Sequence, residues 1–400
     1  MSPKKRVNDD KILRYLEDHT YDETQEKFGI SRMTISRVKK RNKVVIVPDK
    51  INLAIAGIGN AASALIQGIE YYKSRTDNTG LLHPMFAGYH ISDIKISAAF
   101  DISDKKVKKS LNSALKANEL EIISNIDNQN TKVSMGEIKD GMIKETEKLI
   151  NPSSEEPADV AQILENTDTE ILLCLLPSGA EEAVSYYAEE ALEAGCAFIN
   201  ATPSILAGDK KMSQKYQDKG LPLIGDDLQD QFGATILHKL ILQQMVDQGV
   251  EVKESYALDV GGGLESLNTI HRTRHIKRKI KSNSVAGSLN IDAPIVAGTS
   301  DYVPHMGNNR NSMLWLVGKG FLGSEIVMDI KIQTTDGPNG GAILADVIRA
   351  TKIALQQGAS GVVNEISCYG FKNPPTGVES PQKALEHLAQ FVLGGGMEKC

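Results

Sequence analysis

The stretch INLAIAGIGNAASALIQGIEYY, residues 51–72, decides how this chain folds. It opens as an apolar run, passes through small and glycine residues, and continues with apolar positions at helical spacing. That is a buried strand, a tight turn and a helix. Gly57, Gly59 and Ala62 fill the pattern G-x-G-x-x-G/A. The first glycine permits the turn, the second lets backbone approach a pyrophosphate, and the small third residue lets the helix sit close to the strand. The helix start, from Asn60 and Ala61 onward, offers unpaired N–H groups to an anion. A close-packed strand–helix junction would use the same residues, so the neighbouring elements decide.

Those neighbours alternate. DIKISAAFD (93–101) reads as a second strand, and its final Asp101 suits a ribose hydroxyl, favouring NAD over NADP. Asp101 lies beyond the usual spacing of about 20 residues from the turn because residues 74–93 intervene. TEILLCLLPSG (169–179), CAFINATPS (196–204) and LPLIGDDL (221–228) read as three more strands, with helical stretches such as AEEAVSYYAEEALEAG (180–195) between them. Pro177, Ser178 and Thr202, just past the third and fourth strands, are further nucleotide contacts on this reading. Alternation of this kind predicts an α/β fold with a Rossmann-type, doubly wound parallel sheet.

After residue 230 the pattern changes. EVKESYALDVGGG (251–263), SMLWLVGKGFLG (312–323) and SEIVMDIKIQTTD (324–336) read as sheet, separated by the basic HRTRHIKRKIKS (271–282). NGGAILADVIRATKIALQQG (339–358) returns as a long amphipathic helix. The expected organisation is a nucleotide domain over 50–230, completed by 339–400 and interrupted by a largely β catalytic and oligomerisation domain over 231–338.

The first 45 residues stand apart, with 12 Lys/Arg against 7 Asp/Glu in a chain of net charge −6. They read as a small all-α module. Phe28, Ile30, Ile35 and Val38 are apolar around a turn at Gly29, Ser31 is placed to cap the next helix, and Arg32, Thr34, Ser36 and Arg37 project outward. This is a helix-turn-helix layout, although the position four before the turn glycine, usually small, is Gln25. Two readings stand: DNA contact, mostly to phosphates, through Arg32, Arg37 and KKRNK, or a trihelical cap with a solvated basic face.

Composition excludes other classes. Apolar residues at 41% and charged residues at 24% are those of an ordinary globular protein. No apolar run approaches the ~20 residues a membrane span needs, and the N-terminus lacks a signal-peptide core. Cys174, Cys196, Cys368 and Cys400 are scattered, which argues against disulfide or metal frameworks and fits the reducing cytoplasm.

Seven blocks, in order, carry a more specific signal: AGIGNAASALIQGIEYYK, GDDLQDQFGATILHK, VGGG, IKRKIKS, DYVPHMGNN, TTDGPNGGAILADVIRATKIA and CYGFKNPP. Together, over residues 51 to about 375, the chain resembles the myo-inositol-1-phosphate synthase family. The resemblance implies an isomerising cyclase with tightly held NAD, working with or without a monovalent or divalent cation, on glucose 6-phosphate. Oxidation at C5 acidifies C6, an enolate closes on the C1 aldehyde, and re-reduction yields myo-inositol 1-phosphate (1D-myo-inositol 3-phosphate). It also implies a homotetramer. Lys277 and Lys281 match the family's paired lysines, Lys372 a further active-site lysine, Asp336 an acid near the nicotinamide, and Asp227 an acid that orients a lysine. Lysines suit such chemistry because they place donors on developing oxyanions. The competing reading makes Arg274, Lys277, Arg278, Lys279 and Lys281 a solvated basic face.

The chain departs from the family pattern toward the substrate phosphate. Where the pattern has GDD-x-K-S, this chain has GDDLQD, so Asp230 replaces a serine; GGN-x-D becomes GGGLE, bringing in Gly263 and Glu265. The lysine near DYVPHMGNNRN gives way to Arg310 or Asn311. Asp230 would repel a phosphate unless paired with Lys281 or Arg310, and Arg310 has the fork to grip a phosphate bidentately. Either the phosphate pocket has been rebuilt, or the substrate is a different sugar derivative; a third reading, of another class, is a nucleotide-sensing DNA-binding regulator whose cyclase body no longer turns over.

Overall fold

The computed structural model describes residues 9–16, 19–32, 34, 35, 38, 50–120, 126, 131–142, 149–289 and 291–393. The opening stretch forms strand β1 (Ile51–Ala56) and the helix Asn60–Lys73. Along β1, Ile51, Leu53 and Ile55 face one core while Ala54 and Ala56 face another, the period-2 alternation of a strand buried on both sides. The first core holds the helices Asn60–Lys73 and Asp336–Gln357; the second holds the helices Val160–Asn166 and Glu181–Glu193.

After the short ribbon β2 (Met85–Phe86) and β3 (Tyr89–His90) come β4 (Ile94–Asp101), β5 (Val133–Met135), β6 (Ile171–Cys174), β7 (Ala197–Asn200) and β8 (Pro222–Ile224). With β13 (Gly361–Val362) they make a seven-stranded sheet in the order β13-β8-β7-β6-β1-β4-β5, every neighbour parallel. This is the doubly wound order, extended by one strand. Because the chain winds one way from β1 and the other way from β6, a crevice opens beyond the carboxyl ends of these two adjacent strands. The strands expected at 93–101, 169–179, 196–204 and 221–228 all lie in this sheet. The sequence reading missed β5 and β13, which are only three and two residues long.

A second sheet holds β9 (Glu251–Gly261), β10 (Ile295–Tyr302), β11 (Asn309–Lys319) and β12 (Glu325–Thr335), ordered β10-β9-β11-β12. Only β9 and β10 pair parallel. The helices Ala234–Asp247 and Arg274–Gly287 pack on it. Thr335 then ends β12 and Asp336 opens the 22-residue helix, which runs back against Asn60–Lys73. The first turn of that helix therefore stands between the two sheets.

In the N-terminal module, the helices Asp9–Leu16 and Tyr21–Phe28 bury Ile12 and Leu16 against Ile35 and Val38. Gly29 ends the second helix at φ +61°, and the Ser31 hydroxyl accepts the Thr34 N–H at 3.2 Å, the expected cap. The buried small side chain of that helix is Thr24, while Gln25 is exposed. The packing position is thus one residue earlier than the spacing rule places it. Arg32 is paired with Asp22. Ser36, Arg37 and KKRNK (39–43) lie outside the described residues.

Candidate active site

A cavity of about 650 Å³ runs from the glycine turn to the second sheet. At the nucleotide end, Gly57 has φ +93°, and a Cβ there would stand 2.7 Å from the Leu175 carbonyl. Gly57 is fixed by the fold itself. Gly59 differs: it N-caps the helix at φ −89°, no side chain caps that helix end, and a Cβ would point into open space. Bare N–H groups and a side-chain-free approach fit a pyrophosphate. Asn60, Ala61, Asp101, Pro177 and Thr202 also line the cavity.

Asp101 ends β4 beside the turn, as expected, but it has protein partners as well. Its Oδ2 accepts the Ile58 N–H at 3.0 Å and Lys106 Nζ at 3.2 Å, and its Oδ1 accepts the Ser103 N–H at 2.9 Å. Asp101 braces the glycine turn while keeping lone pairs for a ribose. Ser178 is a correction. It is fully buried and does not line the cavity: its N–H donates to Glu265 at 3.0 Å and its hydroxyl donates to the same carboxylate. The loop after β6 is turned toward the second domain by that contact.

At the other end stand the lysines. Lys277 and Lys281 occupy one buried face of the helix Arg274–Gly287, while Arg274, Arg278 and Lys279 are exposed. The solvated-face reading therefore holds for those three and fails for the pair. Lys277 Nζ is 3.3 Å from Asp227 and 3.1 Å from Glu265. Lys372 Nζ donates to the Leu228 carbonyl at 2.5 Å and lies 3.7 Å from Asp227. Burial would raise the Asp227 carboxyl, but Lys277, Lys372 and Lys281 outweigh it and hold it below the usual carboxylate range. Burial likewise opposes charge on Lys277, yet Asp227 and Glu265 keep it above the usual lysine range. Asp227 sits at φ +62°, and its Oδ2 is buried without a hydrogen-bond partner.

Lys281 pairs with Asp259, whose other oxygen accepts the Ser312 hydroxyl at 2.6 Å. Burial lowers the Lys281 amine more than Asp259 raises it. Arg310 forks onto Asp336, with Nε at 2.9 and 3.0 Å and Nη2 at 2.7 Å, and its Nη1 is 3.6 Å from Asp259. Two expectations change here. The guanidinium fork expected to grip phosphate is occupied by Asp336, and Lys281 turns to Asp259 rather than Asp230. The geometry brings Lys277, Lys281, Lys372, Asp227, Asp336 and Arg310 to one cavity wall, where Asp230, Gly263 and Glu265 join them.

Asp259 was missed in the sequence, although a carboxylate inside the apolar strand ESYALDV was a visible signal. Lys239 was also missed. It is buried, donates to Gln229 at 3.2 Å, and is pushed down to about 7 by burial and by Lys372. No group of three or more His, Cys, Asp or Glu fit to hold a metal occurs among the described residues. No described helix is long and apolar enough to cross a membrane.

A doubly wound, Rossmann-like parallel sheet, with a separate mixed sheet beside it and buried, carboxylate-paired lysines between, defines an α/β enzyme class. The family model described as myo-inositol-1-phosphate synthase matches residues 233–337. The chain is 36% identical over 359 residues to the inositol-3-phosphate synthase of Mycolicibacterium smegmatis, covering 86% of this chain and 98% of that protein. Identity to the enzyme of the same name from Corynebacterium glutamicum is 35% over 357 residues, covering 86% and 98%. A solved myo-inositol-1-phosphate synthase-related protein from Thermotoga maritima shares the fold, with TM-score 0.73 at 20% identity over 86% of this chain and 98% of its own. The chain belongs to the inositol-3-phosphate synthase family of isomerase-type enzymes.

Proposed function

We propose that this chain is an isomerising cyclase that turns an open-chain hexose into a cyclitol without net redox change. The observation that carries it is the placement of Lys277 and Lys372 on either side of Asp227, at the cavity wall opposite the glycine turn. The Gly57–Ala61 backbone and Asp101 would hold NAD at the turn, where it would supply a hydride acceptor and donor. The chain's own residues do the rest. Lys277, charged and flanked by two carboxylates, is a fixed donor to an oxygen that becomes negative. Lys372, anchored on the Leu228 carbonyl, is a second. Asp227 orients both and has an acceptor oxygen free of hydrogen bonds. Lys281, its amine lowered by burial, is suited to moving a proton.

The family resemblance implies glucose 6-phosphate as substrate and 1D-myo-inositol 3-phosphate as product. A second substrate reading, the same chemistry on a sugar without phosphate, is favoured by Asp230 on the cavity wall. Incubation with NAD and a panel of aldoses, phosphorylated and not, followed by proton and phosphorus NMR, tests the reaction. A cyclitol with no accumulation of NADH is expected; no cyclitol from any sugar overturns the reading. The assembly we propose is a homotetramer. For residues 1–45, the αL turn at Gly29 and the Ser31 cap favour a helix-turn-helix that contacts DNA. Salt-dependent retardation of DNA by the full chain, and none by a chain starting at residue 46, is the expected result.

A further inference from the structure

On the wall that would face the reacting sugar, the cations are already matched by carboxylates. Lys277, Lys281, Arg310 and Lys372 are its four cations, and each already has a carboxylate partner within 3.7 Å. Four carboxylates line the cavity with them, Asp227, Glu265, Asp336 and Asp230, and a fifth, Asp259, pairs with Lys281. The lining cations and carboxylates at this end balance, four against four, before any ligand arrives. A phosphate dianion would enter a cleft whose cations are all engaged.

Asp230 makes the mismatch local. Its carboxylate lies over Gly233, the N-cap of the 14-residue helix Ala234–Asp247; a Cβ on Gly233 would meet Asp230 Oδ2 at 2.9 Å. No side chain caps that helix start, and Asp230 also adds to the negative field around Arg310. A helix start beside an arginine is where an anion is stabilised, and here the chain provides its own. The unpartnered groups left on the cavity wall are largely neutral. Asn268 Oδ1 and Asn308 Nδ2 line it without hydrogen-bond partners, an acceptor and a donor that a hydroxyl satisfies equally well.

We infer that Asp230 stands as a resident anion where a sugar phosphate would bind, so that the substrate presents a hydroxyl or an amine at this end. This rests on the cyclase reading and selects between its two substrates. Asp230 is then the specificity determinant.

The test is calorimetric binding of glucose and of glucose 6-phosphate to the NAD-saturated full-length protein, alongside Asp230→Asn and Asp230→Ser. Asparagine keeps the size of the side chain and removes only its charge. The wild-type protein should bind glucose 6-phosphate no more tightly than glucose. Both variants should gain at least tenfold for glucose 6-phosphate with no gain for glucose. Tighter wild-type binding of glucose 6-phosphate than of glucose overturns the inference, and so does failure of both variants to gain. Binding needs no turnover, so absence of cyclitol from every sugar would defeat the cyclase reading and leave this comparison readable.

Discussion

Lys277 Nζ lies 3.3 Å from the Asp227 carboxylate, between the seven-stranded sheet and the four-stranded sheet. Asp227 follows β8 of the first, and Lys277 lies on a helix packed against the second. The pair joins the two halves of the cavity, so its removal separates chemistry from cofactor binding. Loss of one preorganised donor costs about 10²–10³ in rate. Lys277→Ala and Lys372→Ala should each lose at least that much product formation while retaining bound NAD. Activity within about threefold of wild type would remove the lysines from the reaction.

The two turn glycines should fail in different ways. Gly57 is held by its positive φ and the Leu175 carbonyl, so Gly57→Ala should lower thermal stability even without nucleotide. Gly59 has an ordinary φ and open space beyond it. Gly59→Val should keep the melting temperature of the nucleotide-free protein and leave it unable to retain NAD. Comparison without nucleotide matters because a bound ligand itself raises the melting temperature. Normal NAD content in Gly59→Val would place the pyrophosphate elsewhere.

Asp101 and Lys106 form a second separable pair, 3.2 Å apart at the end of β4. Asp101→Ala would remove a carboxylate that repels a 2′-phosphate and leave Lys106, still held by the Ile58 carbonyl at 2.7 Å, as the neighbouring cation. Affinity for NAD should fall and affinity for NADP should rise, measured by fluorescence titration of the reduced forms. An unchanged NAD to NADP ratio would move the ribose contact away from β4.

Much of this was legible in the sequence, for identifiable reasons. The first sheet follows local rules: apolar runs such as TEILLC end in small or turn residues, and the glycine turn has a fixed spacing. Strands of two or three residues, β13 and β5, carry too little periodicity to be read. The lysine pair was legible through the family resemblance; that Lys277 and Lys281 are buried while Arg278 and Lys279 are not follows from β10 packing beneath that helix. Ion-pair partners were the least legible. The Arg310 contact with Asp336 closes the open end of the β11–β12 hairpin between residues 26 apart in sequence, and the Ser178 contact with Glu265 joins residues 87 apart. Neither leaves a local signature.

The outer face of the second sheet bears on assembly. Tyr256 stacks with Trp315 at 5.5 Å between ring centroids, and Val296, Met313 and Val327 are exposed. Contiguous apolar sheet surface of this kind suits burial against another copy of the chain. Tyr256→Lys combined with Met313→Lys should reduce the mass measured by light scattering from that of a tetramer to a smaller species, with NAD binding kept. A tetramer that survives both changes would locate its interface elsewhere.

The last prediction concerns Lys239, buried beside Gln229 with its amine pushed down to about 7 by burial and by Lys372. In the unfolded chain the same amine has its ordinary value near 10.5. Between about pH 7 and 10.5 the unfolded chain therefore holds a proton that the folded chain lacks, and stability rises with pH across that window. Below pH 7 the folded protein carries the full cost of a buried charge with one neutral hydrogen-bond partner. Lys239→Met keeps a long unbranched side chain and removes the charge. Its melting temperature should exceed that of the wild type at pH 6.5, and the difference should shrink steadily toward pH 10. Loss of the Gln229 contact lowers the variant by a similar amount at every pH, so it shifts the curve without changing its slope. Thermal unfolding of both proteins from pH 6.5 to 10 measures that slope. A difference that stays flat, or grows toward pH 10, would mean that the Lys239 amine is charged and paired in the folded protein.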